Sequence, residues 1–92
     1  MRFDLGRLVN TIGINDFMED KPENELYIYE CLNRYINCDW GEMCDEDKEL
    51  NDDALTSGGR IFASYETNGM PKIWIITEWD RSATTILFPS EY

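Results

Sequence analysis

Eight carboxylates lie between Asp39 and Asp53, in the run DWGEMCDEDKELNDD, with Lys48 as the one base among them. Eight acids less one base leaves −7 in this stretch, out of a net charge of −11 for the whole chain. On a helix, Glu42, Asp45, Glu49, Asp52 and Asp53 would share one side. Successive turns would set these carboxylates ~5.4 Å apart along the axis, of the same order as the spacing of phosphates on a nucleic-acid strand. A stiff ridge of this kind could occupy a groove in which another protein holds DNA or RNA. The plainer alternative is a solvated helix face, which charge runs usually are. The cost favours a role: like charges at i, i+4 destabilise a helix by ~0.2–0.5 kcal/mol a pair, and Lys or Arg would have relieved it.

Two other chemistries need weighing. Asp45, Asp47, Glu49, Asn51 and Asp53 alternate as in an EF-hand loop. Leu50 stands where that loop needs Gly, and Thr56 where it needs a bidentate Glu, so no metal site is expected. Further on, Glu78, Trp79, Asp80, Arg81 and Ser82 precede Thr84 and Thr85. There Glu78 or Asp80 could act as a base, Arg81 could steer an anion and Ser82 could be a nucleophile. The structural alternative has Asp80 opening a turn, Arg81 pairing with an acid, and the hydroxyls capping backbone groups. Histidine is absent, which removes the commonest general base and zinc ligand. No glycine motif cradles a substrate or cofactor, so a non-enzymatic protein without cofactor is expected. Trp79, in a turn, is the expected exposed anchor for a protein partner, and Trp74 is expected in the core.

The chain has 92 residues, 42% of them hydrophobic and 13% aromatic. That is enough for one small core and too apolar for a disordered acidic tail. The acidic balance opposes direct contact with nucleic acid or anionic membrane and suits a basic protein partner. Cys31, Cys38 and Cys44 have no CxxC spacing and no apolar leader precedes them, so free thiols in the cytoplasm are expected. No apolar run reaches ~18 residues, the length a membrane span needs.

These groups are positioned by a predicted α+β single domain spanning 1–92. Phe3 to Ile14 reads as a short strand, and Asn15 can cap a helical turn through Asp20. Asp20-Lys21-Pro22-Glu23 opens a helix whose apolar stripe is Leu26, Tyr29, Leu32 and Ile36, widened by Ile28 and Tyr35. After the turn at Trp40-Gly41, the acidic helix has Met43, Leu50 and Ala54 on its narrow inner side and stops at Gly58-Gly59. Ile61–Thr67, Lys72–Glu78 and Ala83–Phe88 read as a three-strand meander with a hairpin at Asn68-Gly69. The expectation is an N-terminal strand and two to three helices packed on an antiparallel sheet. Both faces of the meander carry apolar residues, so one could be left open for a partner, including a second copy in a homodimer.

The stretches LGRLVNTIG, DWGEMCDED, GGRIFASYET and WIITEWDRSATTILFPSEY together resemble a family of small bacterial proteins of this length. Its members are carried on plasmids and other mobile elements and described as hypothetical or plasmid-related proteins. The chain departs from that pattern at Trp79, where a small residue is usual, and at Cys38, where Gly is usual. The resemblance implies no catalytic residue. It implies a setting, mobile DNA in a bacterial cytoplasm, where small acidic proteins inhibit host nucleases such as restriction enzymes and CRISPR effectors. The functional expectation is therefore an inhibitor docking on a basic nucleic-acid-binding surface. Its contacts would be Glu42, Asp45, Glu46, Asp47, Glu49, Asp52 and Asp53, with Glu78, Trp79, Asp80 and Arg81 as a second zone. An accessory or adaptor protein, dimeric through an apolar sheet face, is the alternative.

Overall fold

The computed structural model describes residues 3–92. The order is β1 (Arg7–Asn10), α1 (Ile12–Asp20), α2 (Pro22–Ile36), α3 (Asp45–Ser57), β2 (Ile61–Tyr65), β3 (Ile73–Thr77), β4 (Ala83–Leu87) and a 3-10 turn, Pro89–Glu91. The chain is α+β, with the expected meander in β2, β3 and β4: Ile75 sits between Ala63 and Ile86.

The N-terminal strand differs from expectation. It is confined to Arg7–Asn10 and runs parallel to β4, so the sheet is mixed, in the order β1-β4-β3-β2. A parallel neighbour requires a crossover, which the helices and meander between β1 and β4 supply. The strand stops early because Thr11, not Asn15, caps α1, its hydroxyl accepting from Ile14 N–H at 3.3 Å.

Extended Lys21 separates α1 from α2, and Pro22 takes the first helical position, where its missing N–H costs nothing. Asp20 therefore ends α1 instead of capping α2. The buried stripe of α2 is Asn24, Tyr27, Ile28, Cys31 and Tyr35, while Leu26 and Tyr29 are exposed. Apolar residues occupy both sides of this helix, and polar satisfaction distinguishes them. The Tyr27 hydroxyl donates to the Pro71 carbonyl at 3.0 Å, and the Tyr35 hydroxyl lies 2.6 Å from that of Thr77.

α1 and α2 cover one sheet face, burying Ile14, Ile28, Ile61, Ile73, Ile75 and Ile86. Phe3, Tyr35 and Trp40 stack edge-on beside them, with centroids 5.5 and 5.6 Å apart about Tyr35. Phe62, Trp74, Ile76, Thr85 and Leu87 form the opposite face. Ile76 and Leu87 are buried there too, because the C-terminal turn folds back over the sheet. The Tyr92 ring packs 5.8 Å from Trp74 and lies under the Arg60 guanidinium. Glu91 pins this turn by accepting from Thr11 Oγ1 (2.6 Å), Gly13 N–H (3.1 Å) and Phe88 N–H (2.9 Å). Trp74, expected in the core, is half-buried between Phe62 and Tyr92.

Candidate protein-interaction site

Helix α3 lies against the outer edge of β2 and is fastened by three polar contacts. The Asn51 amide pairs with the backbone of Phe62, donating to its C=O at 2.7 Å and accepting from its N–H at 3.1 Å. The buried Trp40 indole donates to Asp52 Oδ1 at 3.0 Å. Arg81 donates to the carbonyls of Ala54 (2.7 Å), Gly59 (2.6 Å) and Glu78 (3.2 Å). This guanidinium sits where α3 ends, satisfying a terminal carbonyl and opposing the negative end of the helix dipole. At the other end Asp45, Glu46 and Asp47 occupy the first turn, where the dipole favours negative charge.

Only part of the expected ridge is built. Asp45, Glu46, Glu49 and Asp53 share the solvent side of α3, opposite buried Asn51 and Ala54, whereas Asp47 lies one turn before Asn51 on the inner side, exposed in a cavity it lines with Met43, Arg60 and Phe62. Asp52 lies beside the outward acids but is engaged by Trp40. Glu42 is not on the helix, which begins three residues later. It belongs to a short segment bridged to β2, where Gly41 pairs with Ser64. The Glu42 carboxylate accepts from Glu66 N–H at 2.9 Å and lies 3.8 Å from Arg34. Gly41 is needed there: its φ is +80°, and a Cβ would strike the Ser64 carbonyl. Leu50, expected on the inner side with Met43 and Ala54, is 64% exposed, because Asn51 and Ala54 turn towards the sheet instead. The EF-like alternation has no geometry for a cation either. Residues two apart on a helix point roughly 200° apart, so Asn51 faces β2 while Glu49 and Asp53 face solvent. No cluster of three potential ligands exists among the described residues.

The second expected zone adjoins the first, since Arg81 ties the β3–β4 turn to the end of α3. Trp79 is 67% exposed there. Asp80 Oδ1 accepts from Ser82 N–H at 3.0 Å, and hydrogen bonding from the Ser82 side chain, then from this N–H, holds its carboxyl below the usual range. Arg81, expected as a contact residue or as partner of an acid, instead turns its guanidinium inward to backbone carbonyls. Glu78 and Thr85 line a shallow cavity of about 290 Å³ with Arg60, Glu91 and Tyr92.

No protein-family profile, curated protein or solved structure matches this chain.

The charge balance of the site is settled by Arg34. Its side chain is bidentate to Asp39, at 2.7 and 3.2 Å, and packs over the Tyr65 ring. That pair holds the Asp39 carboxyl below its usual range. Among the described residues the ion pairs are those of Arg34 with Asp39 and with Glu42. Asp39, Glu42 and Asp52 thus have internal partners, whereas Asp45, Glu46, Asp47, Glu49 and Asp53 have no ion pair among the described residues. Sequence reasoning missed Asn51, Trp40 and Arg34 as the groups that fix this arrangement. One signal existed for Asn51: it stands three residues before Ala54, on the least acidic side of the helix.

The three cysteines are free, and burial pushes the Cys31 thiol up to about 11. No helix among the described residues is long and apolar enough to cross a membrane.

Proposed function

We propose that this protein is a non-enzymatic inhibitor that docks the solvent side of α3 on a basic nucleic-acid-binding surface of another protein. The observation that carries this reading is the contrast within α3. Its inner side is held by hydrogen bonds to the sheet, while Asp45, Glu46, Glu49 and Asp53 project outward without an ion pair among the described residues, with Lys48 as the one base on the helix. A preorganised anionic surface loses little side-chain and backbone freedom on binding, and it steers a basic partner at long range. Trp79 lies near the end of the same helix as an apolar contact. The likeness to proteins of plasmids and mobile elements supports a host defence nuclease, a CRISPR effector or restriction enzyme, as the partner. The structural engagement of Asp80 and Arg81 supports a binding role over catalysis.

The test is inhibition of a panel of purified restriction endonucleases and CRISPR effectors by the wild type and by the variant Asp45→Lys/Glu49→Lys/Asp53→Lys. Asp52 is left intact because Trp40 depends on it. Wild-type inhibition should weaken steeply between ~50 and 200 mM salt, and the variant should not inhibit. A variant that folds and still inhibits would falsify the assignment of α3 as the docking surface.

A further inference from the structure

The two edges of the sheet are finished differently. At the β2 edge the outward backbone groups are occupied. Asn51 takes both groups of Phe62. The Ser64 N–H donates to the Trp40 carbonyl at 3.3 Å, and the Ser64 carbonyl accepts from Glu42 N–H at 2.7 Å. The Glu42 carboxylate takes the next N–H, that of Glu66. An edge capped in this way cannot add a strand.

The β1 edge has no such cover. Arg7 N–H donates to the Ser82 carbonyl at 3.0 Å, and Thr11 N–H to that of Ile86 at 3.2 Å. Alternate residues of a parallel ladder turn the same way, so Leu8 and Asn10 direct their N–H and C=O groups away from β4. None of these four groups has a partner among the described residues. Beside them Leu8 is 46% exposed and Ile12 is 80% exposed.

We propose that this edge binds a second copy of the chain. β1 would pair antiparallel with its counterpart across a two-fold axis and join the two sheets into one. With Val9 at the axis, Leu8 faces Asn10 of the other copy on both sides. The two donors and two acceptors on each strand then satisfy one another, as an isologous contact requires. Leu8 of each copy would gain a neighbour in place of water.

The placement of charge selects a second copy as the occupant. Two chains of −11 can approach only where their acids are far apart. β1 contains Arg7 and no acid, and the −7 segment lies at the opposite edge of the sheet. In the joined sheet the two acidic edges would stand roughly nine strand spacings apart, about 43 Å. Salt screens charge over ~8 Å at physiological strength, so the acidic helices would not oppose assembly. A basic peptide from another protein would be drawn to α3 instead. This inference does not rest on what α3 binds.

Sedimentation equilibrium from micromolar to near-millimolar protein, paired with amide exchange at Leu8 and Asn10, tests it. The mass should rise towards twice 10.8 kDa, and exchange at both amides should slow at least tenfold at the concentrated end. Leu8→Pro should be monomeric with an unchanged circular dichroism spectrum. Its N–H faces outward, so the bonds between β1 and β4 survive. Leu8→Lys, which keeps the N–H but sets two charges at the joint, gives the same reading should the proline variant fail to fold. The proposal is overturned by a monomer across the whole range, or by a dimer in which these amides stay unprotected. It is equally overturned by Leu8 variants that remain dimeric, or by protection that appears only when another protein is added.

Discussion

Thr84 sits at the end of a buried chain of hydroxyls whose direction follows from proton counting. Its hydroxyl donates to the Leu5 carbonyl at 2.7 Å, so it must accept from Thr77 at 2.8 Å. Thr77 has then given its one proton away and must accept from Tyr35 at 2.6 Å. Burial raises the Tyr35 hydroxyl above its ordinary value and keeps it a donor. The chain ties α2, β3 and β4 to the segment leading into β1. Thr84→Val leaves the Leu5 carbonyl unsatisfied and removes the acceptor for Thr77, so it should cost ~1–3 kcal/mol in urea unfolding. The Thr77→Val/Thr84→Val double variant should cost less than the sum of the single changes, because both act on one network. Cys38 offers the opposite case. It has φ +63° in the turn after α2, where Cys38 N–H donates to the Tyr35 carbonyl and Asp39 N–H to that of Arg34. That pair of bonds defines a helix stop that normally uses Gly. Cys38→Gly should relieve the left-handed strain and raise stability by ~0.5–1 kcal/mol, read as a higher urea midpoint.

At the scale of elements, α3 depends on residues outside itself. Its composition is poor for an isolated helix, and Asn51, Trp40 and Arg81 hold it against the sheet. Arg81→Ala removes donors from the Ala54 and Gly59 carbonyls, so the last turn of α3 should fray. The Gly58 amide, which donates to Ala54 at 2.9 Å, should lose protection in amide exchange, with a global cost of ~1–3 kcal/mol. The elements with local signals were legible in sequence. Gly58, at φ +84°, stops α3 as its position implied. Asn68-Gly69 lies in the connection from β2 to β3, and Ile73 and Ile75 share a buried face by alternation. Three features were not legible, each because it depends on distant chain. The parallel partner of β1 lies at the other end of the sequence. The choice between the two apolar sides of α2 depends on where Pro71 and Thr77 present oxygen. Glu42 reads as a helical acid by spacing alone, yet its backbone is claimed by Ser64 before the helix can begin.

At the scale of the whole molecule, the distribution of acid separates a binding surface from an idle one. Arg34, the base nearest the start of the acidic run, serves Asp39 and Glu42, while Arg81 serves backbone carbonyls. The outward side of α3 keeps its mutual repulsion. Such repulsion destabilises the compact state and is screened by salt. Raising salt from ~10 to 200 mM should therefore raise the melting temperature, against the usual weakening of attractive surface pairs. Glu49→Lys, which sets a base between Asp45 and Asp53, should reduce that salt dependence. It should also stabilise the fold at low salt by on the order of 1 kcal/mol, since both i, i+4 repulsions become attractions. Calorimetry at the two salt concentrations checks both effects. If the variant is more stable and no longer inhibits, the carboxylates are kept at a cost to the fold for the sake of a partner. If it is less stable at low salt, the acids stabilise α3 itself, through its dipole and first turn, and the run needs no partner to explain it.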